Sequence, residues 1–217
     1  MFNILRIICL ILLTGLHVAQ AQETITLRVH HFLPTTSTTH AGLLVPWAEA
    51  LEADSDGRIQ VEIYPSMQLG GKPPQLYDQA RDGVVDAVWT VLGYNAGRFP
   101  ISEVFELPFV AGDAEATSQA AHEFAQRHLR RELRGVEPLL VHTHAPGTFH
   151  LAGHRVTRME DLEGLKIRTP SRTATESLKA LGAQPVGMPV PEVSQALSMG
   201  VVDGAVLPWE VARPLRI

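Results

Sequence analysis

A short pattern of proline, glycine and valine occurs twice in the sequence, once in each half of the chain. The copies are PQLYDQARDGVVD at 74–86 and PEVSQALSMGVVD at 191–203. Each copy predicts a helix that begins near the proline, ends at the glycine and leads into a hydrophobic strand. A tryptophan follows each copy, Trp89 or Trp209. A chance match of short elements is the alternative; the pattern favours two lobes of similar build.

Strands and helices are predicted to alternate along the chain. Apolar or alternating segments predict strands at 24–30, 58–64, 84–91, 138–142 and 165–169. Longer segments, each followed by a glycine, predict helices at 41–53, 74–82, 114–134 and 173–181. This alternation predicts an α/β fold with largely parallel sheets.

The repeat also predicts where a ligand binds. Open α/β sheets bind ligands beyond the carboxyl ends of their strands. Two lobes that face each other with such ends enclose a cleft, as in binding proteins that close about a hinge. We expect lobe one at 22–142 and lobe two at 143–217, because a turn-rich segment at 143–147 follows a predicted strand.

The first 21 residues have the features of a secretory signal peptide. Arg6 precedes an apolar stretch, and Ala19-Gln20-Ala21 forms an A-x-A cleavage site. The stretch is about half of the roughly 20 residues that a membrane span needs. Cys9 lies inside this segment, so we expect a mature chain without a disulfide. We therefore expect an exported, periplasmic protein that is not embedded in a membrane.

Charge and motif content narrow the function. The 217-residue chain has a formal charge of −5, which argues against nucleic-acid binding. We find no nucleophile motif, phosphate-binding loop or H-E-x-x-H pattern, so we expect neither an enzyme nor a cofactor. The histidines leave one enzymatic alternative open, an exported zinc hydrolase that uses His142 and His144 with a carboxylate.

Arg168 is the strongest candidate binding residue. It lies near the carboxyl end of the predicted strand at 165–169, just before Pro170. A planar guanidinium in this position can hold a carboxylate through two parallel hydrogen bonds. The alternative is a surface arginine that pairs with Glu163 or Asp161, and the pattern alone does not separate the two.

Five segments in a fixed order resemble those of one family of transport proteins. They are HHFLPTTSTTH at 30–40, IYPSMQLGGKPPQLYDQARDGVVDAVW at 63–89, GRFPISEVFELPF at 97–109, DLEGLKIRTP at 161–170 and QALSMGVVDGAVLPWE at 195–210. Together they resemble the DctP-like solute-binding proteins of tripartite ATP-independent periplasmic (TRAP) transporters. The resemblance covers nearly all of the chain after the signal peptide.

The resemblance implies a two-lobed periplasmic-binding-protein-like fold that closes on a small organic carboxylate. It implies delivery of that ligand to a TRAP-type membrane permease, and it places Arg168 at the family's carboxylate-binding arginine. Many members carry an asparagine where this chain has Leu207, so we expect fewer polar contacts to the ligand here. With Trp89, Tyr94 and Trp209 nearby, an aromatic or hydrophobic acid is the predicted ligand.

Three further expectations follow from the resemblance. His31 and His144 are candidate hydrogen-bond donors to the ligand, with loop stabilisation as the alternative for each. A sensory ligand-binding module is the alternative to transport. Family members continue past the position of Ile217 and return to lobe one, so we expect a C-terminally truncated lobe two, poor stability and weakened closure.

Overall fold

Two sheets of largely parallel strands form the framework of residues 24–217. The computed structural model describes residues 24–217, so the predicted signal peptide and Cys9 lie outside the described residues. The first sheet has the strand order β2-β1-β3, and all of its pairs are parallel. Its strands are β1 Ile25–His31, β2 Ile59–Tyr64 and β3 Ala87–Trp89.

The second sheet repeats this order and adds one antiparallel strand. Its order is β4-β7-β5-β6, in which β5 pairs in parallel with both β6 and β7, and β4 runs antiparallel to β7. The strands are β4 Thr148–Leu151, β5 Lys166–Thr169, β6 Gln184–Gly187 and β7 Gly204–Leu207. The predicted α/β class is therefore confirmed.

In the described part of the chain, six α-helices connect and cover the strands. They are α1 Val45–Asp54, α2 Leu76–Arg81, α3 Ala114–Phe124, α4 Arg172–Ala180, α5 Val193–Ser198 and α6 Trp209–Ala212. Short 3-10 segments lead into the two repeat helices, at Pro73–Gln75 before α2 and at Val190–Glu192 before α5. A further 3-10 segment, Ser102–Glu106, lies between β3 and α3.

The sequence repeat extends to equivalent hydrogen bonds. The Asp86 carboxylate accepts the backbone N–H of Arg28 in β1, and the Asp203 carboxylate accepts that of Lys166 in β5, both at 2.8 Å. The helices before them end at Gly83 and Gly200, whose φ angles of 71° and 66° suit glycine. Each aspartate thus bonds the backbone of the central strand in its own sheet.

The prediction of a strand at 138–142 is wrong. Residues of this segment are held by side chains of α3 instead of by a neighbouring strand. The N–H of Val141 donates to His122 Nδ1 at 3.4 Å, and that of Thr143 donates to Ser118 Oγ at 3.0 Å. An apolar run becomes a strand only where a neighbour offers backbone partners. The helix predicted at 114–134 is also shorter, since the chain forms a π-helical segment at Ala125–Leu129 and then turns.

The carboxyl ends of the two central strands are buried against a shared apolar core. Exposure decreases along β1 and along β5, so that the last three residues of each strand are buried. The core between the sheets contains Phe32, Leu33, Leu76, Val190, Val193, Ala205, Leu207 and Ala212. It joins residues from both predicted lobes, and it surrounds the place where the sequence predicted a ligand. The lobe boundary at 142–143 stays a prediction.

Candidate functional site

The Arg168 side chain is buried and only partly hydrogen-bonded. It is 2% exposed in β5, its Nε donates to the Met188 carbonyl at 2.9 Å, and its Nη1 donates to the Val206 carbonyl at 3.0 Å. Its Nη2 is shielded from solvent and has no hydrogen-bond partner among residues 24–217. These contacts fix the guanidinium in place beside the Tyr94 hydroxyl, and they leave Nη2 able to donate to an anion.

The surface alternative for Arg168 does not hold. Asp161 instead accepts hydrogen bonds from the Thr157 hydroxyl and from Arg158 Nε. Burial lowers the pKa of the Arg168 guanidinium, and the nearby Tyr94 partly opposes this. An arginine remains protonated in spite of such a shift. The site therefore holds a buried positive charge whose pairing with a carboxylate would be favourable.

An aromatic cluster from lobe one lies in the same core. The Phe32 ring centroid is 5.3 Å from that of Trp89 and 5.5 Å from that of Tyr94. Tyr94 reaches lobe two, where its Oη accepts the N–H of Val190 at 3.0 Å. Trp89 donates from Nε1 to His142 Nε2 at 2.8 Å. Both polar groups are engaged, so these side chains present mainly their ring faces to a neighbour.

Lobe two adds an apolar surface. Leu207 is 2% exposed and packs in the shared core with Ala205. Met188 packs against the same core through its side chain while its carbonyl holds Arg168. The surroundings of the guanidinium are thus apolar and aromatic on both sides.

The other three predicted site residues lie in different environments. His31 is fully buried, its Nδ1 accepts the Leu33 N–H at 3.2 Å, and its Nε2 bonds His40 Nδ1 at 2.9 Å. Both nitrogens are therefore occupied, which favours the loop-holding alternative. His144 is exposed, and its Nδ1 donates to the neighbouring Ala145 carbonyl at 2.6 Å.

Trp209 lies outside the aromatic cluster. It is 69% exposed in α6, and its ring contacts His150 edge-on at 4.4 Å between centroids. The strand registers pair His30 with Val88 and Arg168 with Ala205, so the structural counterpart of Trp89 is Val206. The two tryptophans are therefore not equivalent, although each follows a copy of the repeat.

Four buried side-chain polar atoms within residues 24–217 have no hydrogen-bond partner: Thr90 Oγ1, Asn95 Nδ2, Glu106 Oε2 and Arg168 Nη2. Thr90 follows β3 directly, Asn95 follows Tyr94, and Arg168 lies near the end of β5. Buried polar groups are normally satisfied, so each of these atoms is a candidate contact for a polar molecule.

Sequence reasoning did not find Phe32 or Glu106. Phe32 directly follows the buried end of β1, and its position two residues beyond the strand predicted at 24–30 was the available signal. Glu106 is a lone acidic residue among apolar neighbours in VFELPF, residues 104–109. Burial raises the pKa of its carboxyl group, with the Glu103 charge adding to the effect and Ser171 opposing it.

A groove of about 590 Å³ also opens at the rim between the two lobes. It is crossed by an ion pair in which Arg172 Nη2 of α4 lies 2.5 Å from Glu103 Oε2. Its other lining residues include Leu107, Pro108 and Thr173. The rim is thus held by a partly exposed charge pair, while Arg168 lies in the buried interior.

The zinc-hydrolase alternative finds no support in the geometry. In the described part of the chain, no three histidine, cysteine, aspartate or glutamate side chains lie close enough to hold a metal ion. His142 Nε2 already accepts the Trp89 indole N–H.

As for membrane spans, the helices within residues 24–217 are all too short or too polar to cross a bilayer.

Comparison with known proteins identifies the family. The family described as bacterial extracellular solute-binding protein, family 7 (DctP) matches residues 29–216. The chain belongs to this family. The α/β arrangement is therefore that of a DctP-family protein, and the TRAP resemblance of the sequence is confirmed.

Two solved DctP-family structures are similar to the chain at a TM-score of 0.87 each. One is a TRAP solute-binding protein from Rhodoferax ferrireducens in complex with copurified benzoate, 49% identical over 89% of this chain and 60% of that one. The other is a marine metagenome protein specific for aromatic acid ligands, in complex with metahydroxyphenylacetate, 51% identical over 88% of this chain and 60% of that one.

A curated relative, the C4-dicarboxylate-binding periplasmic protein DctP of Rhodobacter capsulatus, is 30% identical. That match covers 88% of this chain and 57% of the relative. The chain therefore spans about 60% or less of the length of each of these relatives.

Proposed function

We propose that this chain is the extracytoplasmic solute-binding component of a TRAP transporter and that its ligand is an aromatic carboxylate. The observation that carries the proposal is the unpaired Nη2 of the buried Arg168 beside the cluster of Phe32, Trp89 and Tyr94. A carboxylate would accept the hydrogen bond that Nη2 lacks, and an aromatic ring would pack against the apolar side chains next to it.

The ligand class is supported from two directions. Leu207 offers no side-chain hydrogen bond, so a sugar acid with many hydroxyl groups would leave its own polar groups without partners. The two similar solved proteins were crystallised with benzoate and with metahydroxyphenylacetate, both aromatic acids. Together these points favour an aromatic acid over a short dicarboxylate.

In this proposal the ligand enters between lobe one at 22–142 and lobe two at 143–217. Its carboxylate pairs with Arg168, and the aromatic side chains of lobe one close over the ring. Closure excludes water and strengthens the ion pair, because the local dielectric constant falls. The Tyr94–Val190 hydrogen bond and the Glu103–Arg172 ion pair join the lobes in the closed form. A TRAP-type permease then receives the ligand from that form.

A ligand panel tests the proposed function. We expect benzoate at 100 times its Kd to stabilise the protein by about 2.7 kcal/mol, which raises Tm by roughly 5–10 °C. Succinate and glucuronate at the same concentration serve as controls and should leave Tm unchanged. Stabilisation by either control but not by benzoate would overturn the aromatic assignment, and no response to any acid would overturn carboxylate binding.

The proposed periplasmic location has a separate test. Cleavage after Ala21 would give a mature protein that begins at Gln22. N-terminal sequencing of protein recovered from the periplasm should therefore start with Gln-Glu-Thr. Recovery of the uncleaved chain in the cytoplasm would contradict export.

A further inference from the structure

Glu106 is half-buried and lies between residues of the two predicted lobes. Its Oε1 lies so close to Gly93 that a Cβ added to that glycine would overlap with it, and the same Cβ would lie 3.0 Å from the Ser171 Cβ. Gly93 precedes Tyr94 in lobe one, and Ser171 caps α4 in lobe two. Glu106 therefore lies where the loop after β3 meets the chain just beyond β5.

The second carboxyl oxygen of Glu106 is unused. Oε2 is shielded from solvent and has no hydrogen-bond partner among the described residues 24–217. A buried acceptor without a donor is destabilising, so its presence needs a compensating role. A ring carbon of a ligand cannot donate a hydrogen bond to Oε2, whereas a hydroxyl group can.

Glu106 and Arg168 do not neutralise each other. Glu106 Oε2 and Arg168 Nη2 both lack a hydrogen-bond partner among residues 24–217, so these two atoms are not bonded to each other. One is a donor and the other is an acceptor.

Two further unpaired polar atoms lie on the segment whose Gly93 is close to Glu106. The unpaired Thr90 Oγ1 and Asn95 Nδ2 lie at the two ends of the segment that contains Gly93. A hydroxyl group both donates and accepts, so one placed here can donate to Glu106 and accept from a threonine hydroxyl or an amide. A methyl, methoxy or hydrogen substituent cannot make the same set of bonds.

We propose that Glu106, with Thr90 and Asn95, binds a hydroxyl group on the aromatic acid whose carboxylate Arg168 holds. The protein then selects hydroxylated aromatic acids over unsubstituted ones. This inference rests on the proposed function and adds a second recognition point to it. The raised pKa of Glu106 agrees with a desolvated carboxyl group, which is a strong acceptor.

Calorimetry on the wild-type chain gives the first test. The probes are benzoate, its 2-, 3- and 4-hydroxy derivatives, and the methoxy derivative of whichever hydroxybenzoate binds most tightly. We expect one hydroxybenzoate to bind at least about tenfold more tightly than benzoate, the value of a hydrogen bond to a charged group. The methoxy compound, which lacks the donor, should lose this advantage.

The Glu106→Gln variant gives the second test, because it keeps the shape of the side chain and replaces an acceptor with an amide. Its affinity for benzoate should stay within about threefold of wild type, while its preference for the hydroxybenzoate should fall at least fivefold. The matched control is Glu123→Gln, on the exposed surface of α3, where the preference should be unchanged.

The outcomes separate the two proposals. Wild-type binding of benzoate with no preference for any hydroxybenzoate overturns the role of Glu106 and leaves the proposed function standing. An undiminished preference in Glu106→Gln does the same. Failure of the wild-type chain to bind any of these acids overturns the proposed function, and the inference with it.

Discussion

Replacement of Arg168 by lysine is the sharpest test of the anion site. A guanidinium has five N–H groups, and here Met188 and Val206 carbonyls take two of them. Three remain for a carboxylate, which can bind side by side across Nη1 and Nη2. A lysine has three N–H groups, so after the same two carbonyls only one remains. The charge is kept, but the two-point contact is lost.

The expected loss follows from this count. A hydrogen bond to a charged group contributes about 1.5–3 kcal/mol, so the loss of one weakens benzoate binding by about 10- to 150-fold. Isothermal titration calorimetry of wild type and Arg168→Lys measures the two Kd values directly. Urea unfolding without ligand should accompany it, because Arg168 also ties β5 to the β7 carbonyl at Val206.

A matched variant separates the local effect from a general change of charge. Arg158 lies on the surface of the same lobe, 73% exposed at the side chain, and bonds Asp161. Arg158→Lys should change the benzoate Kd by less than about twofold, since exposed ion pairs contribute little. If Arg168→Lys folds and binds benzoate within threefold of wild type, the guanidinium does not hold the carboxylate and the reasoning fails.

Two further predictions concern stability. Burial lowers the pKa of His31 from 6.5 to about 4, with His40 and His30 adding to the effect. The unfolded chain therefore binds a proton here between these pH values and the folded chain does not. The contribution of His31, on the order of 3 kcal/mol, is full above pH 6.5 and is lost as pH falls toward 4. We expect the free energy of unfolding, measured with urea, to change less between pH 7 and pH 4.5 in His31→Asn than in wild type. An equal change in the two proteins would contradict the prediction. Asp86→Ala and Asp203→Ala should each lower the free energy of unfolding by about 1 kcal/mol, because each removes one equivalent hydrogen bond. Urea titration checks this, and a change below 0.3 kcal/mol (roughly the measuring error) in either variant argues against equivalence.

The repeat gives the molecule its binding geometry. It places β1 and β5 at the centre of their sheets, with β3 and β7 as equivalent neighbours. His30 in β1 then occupies the position that Arg168 has in β5, and it bonds Gln79 Oε1 at 2.7 Å. At equivalent positions, His30 thus has a hydrogen-bond partner within the protein, whereas Arg168 keeps one nitrogen without a partner among residues 24–217.

The sequence by itself determined the α/β architecture and pointed to Arg168 as a candidate. The repeated proline–glycine–valine pattern is local, since helix starts, glycine stops and apolar strands depend on neighbours within a few residues. The strand prediction placed Arg168 near a strand end but left a surface role open, and the family resemblance favoured the binding role. The segment at 138–142 was missed because whether an apolar run forms a strand depends on a distant partner, here the side chains of α3.

Only the tertiary structure decided which side chains are left without partners. Glu106 in its 3-10 segment, Asn95 after Tyr94 and Thr90 after β3 are far from Arg168 in sequence, and no spacing rule brings them together. Their burial depends on how the two sheets pack against the shared core. The packing also decides that both nitrogens of His31 are hydrogen-bonded and that Trp209 is exposed. Hydrogen-bond satisfaction is a property of the packed molecule, because a donor and its acceptor usually come from different parts of the chain.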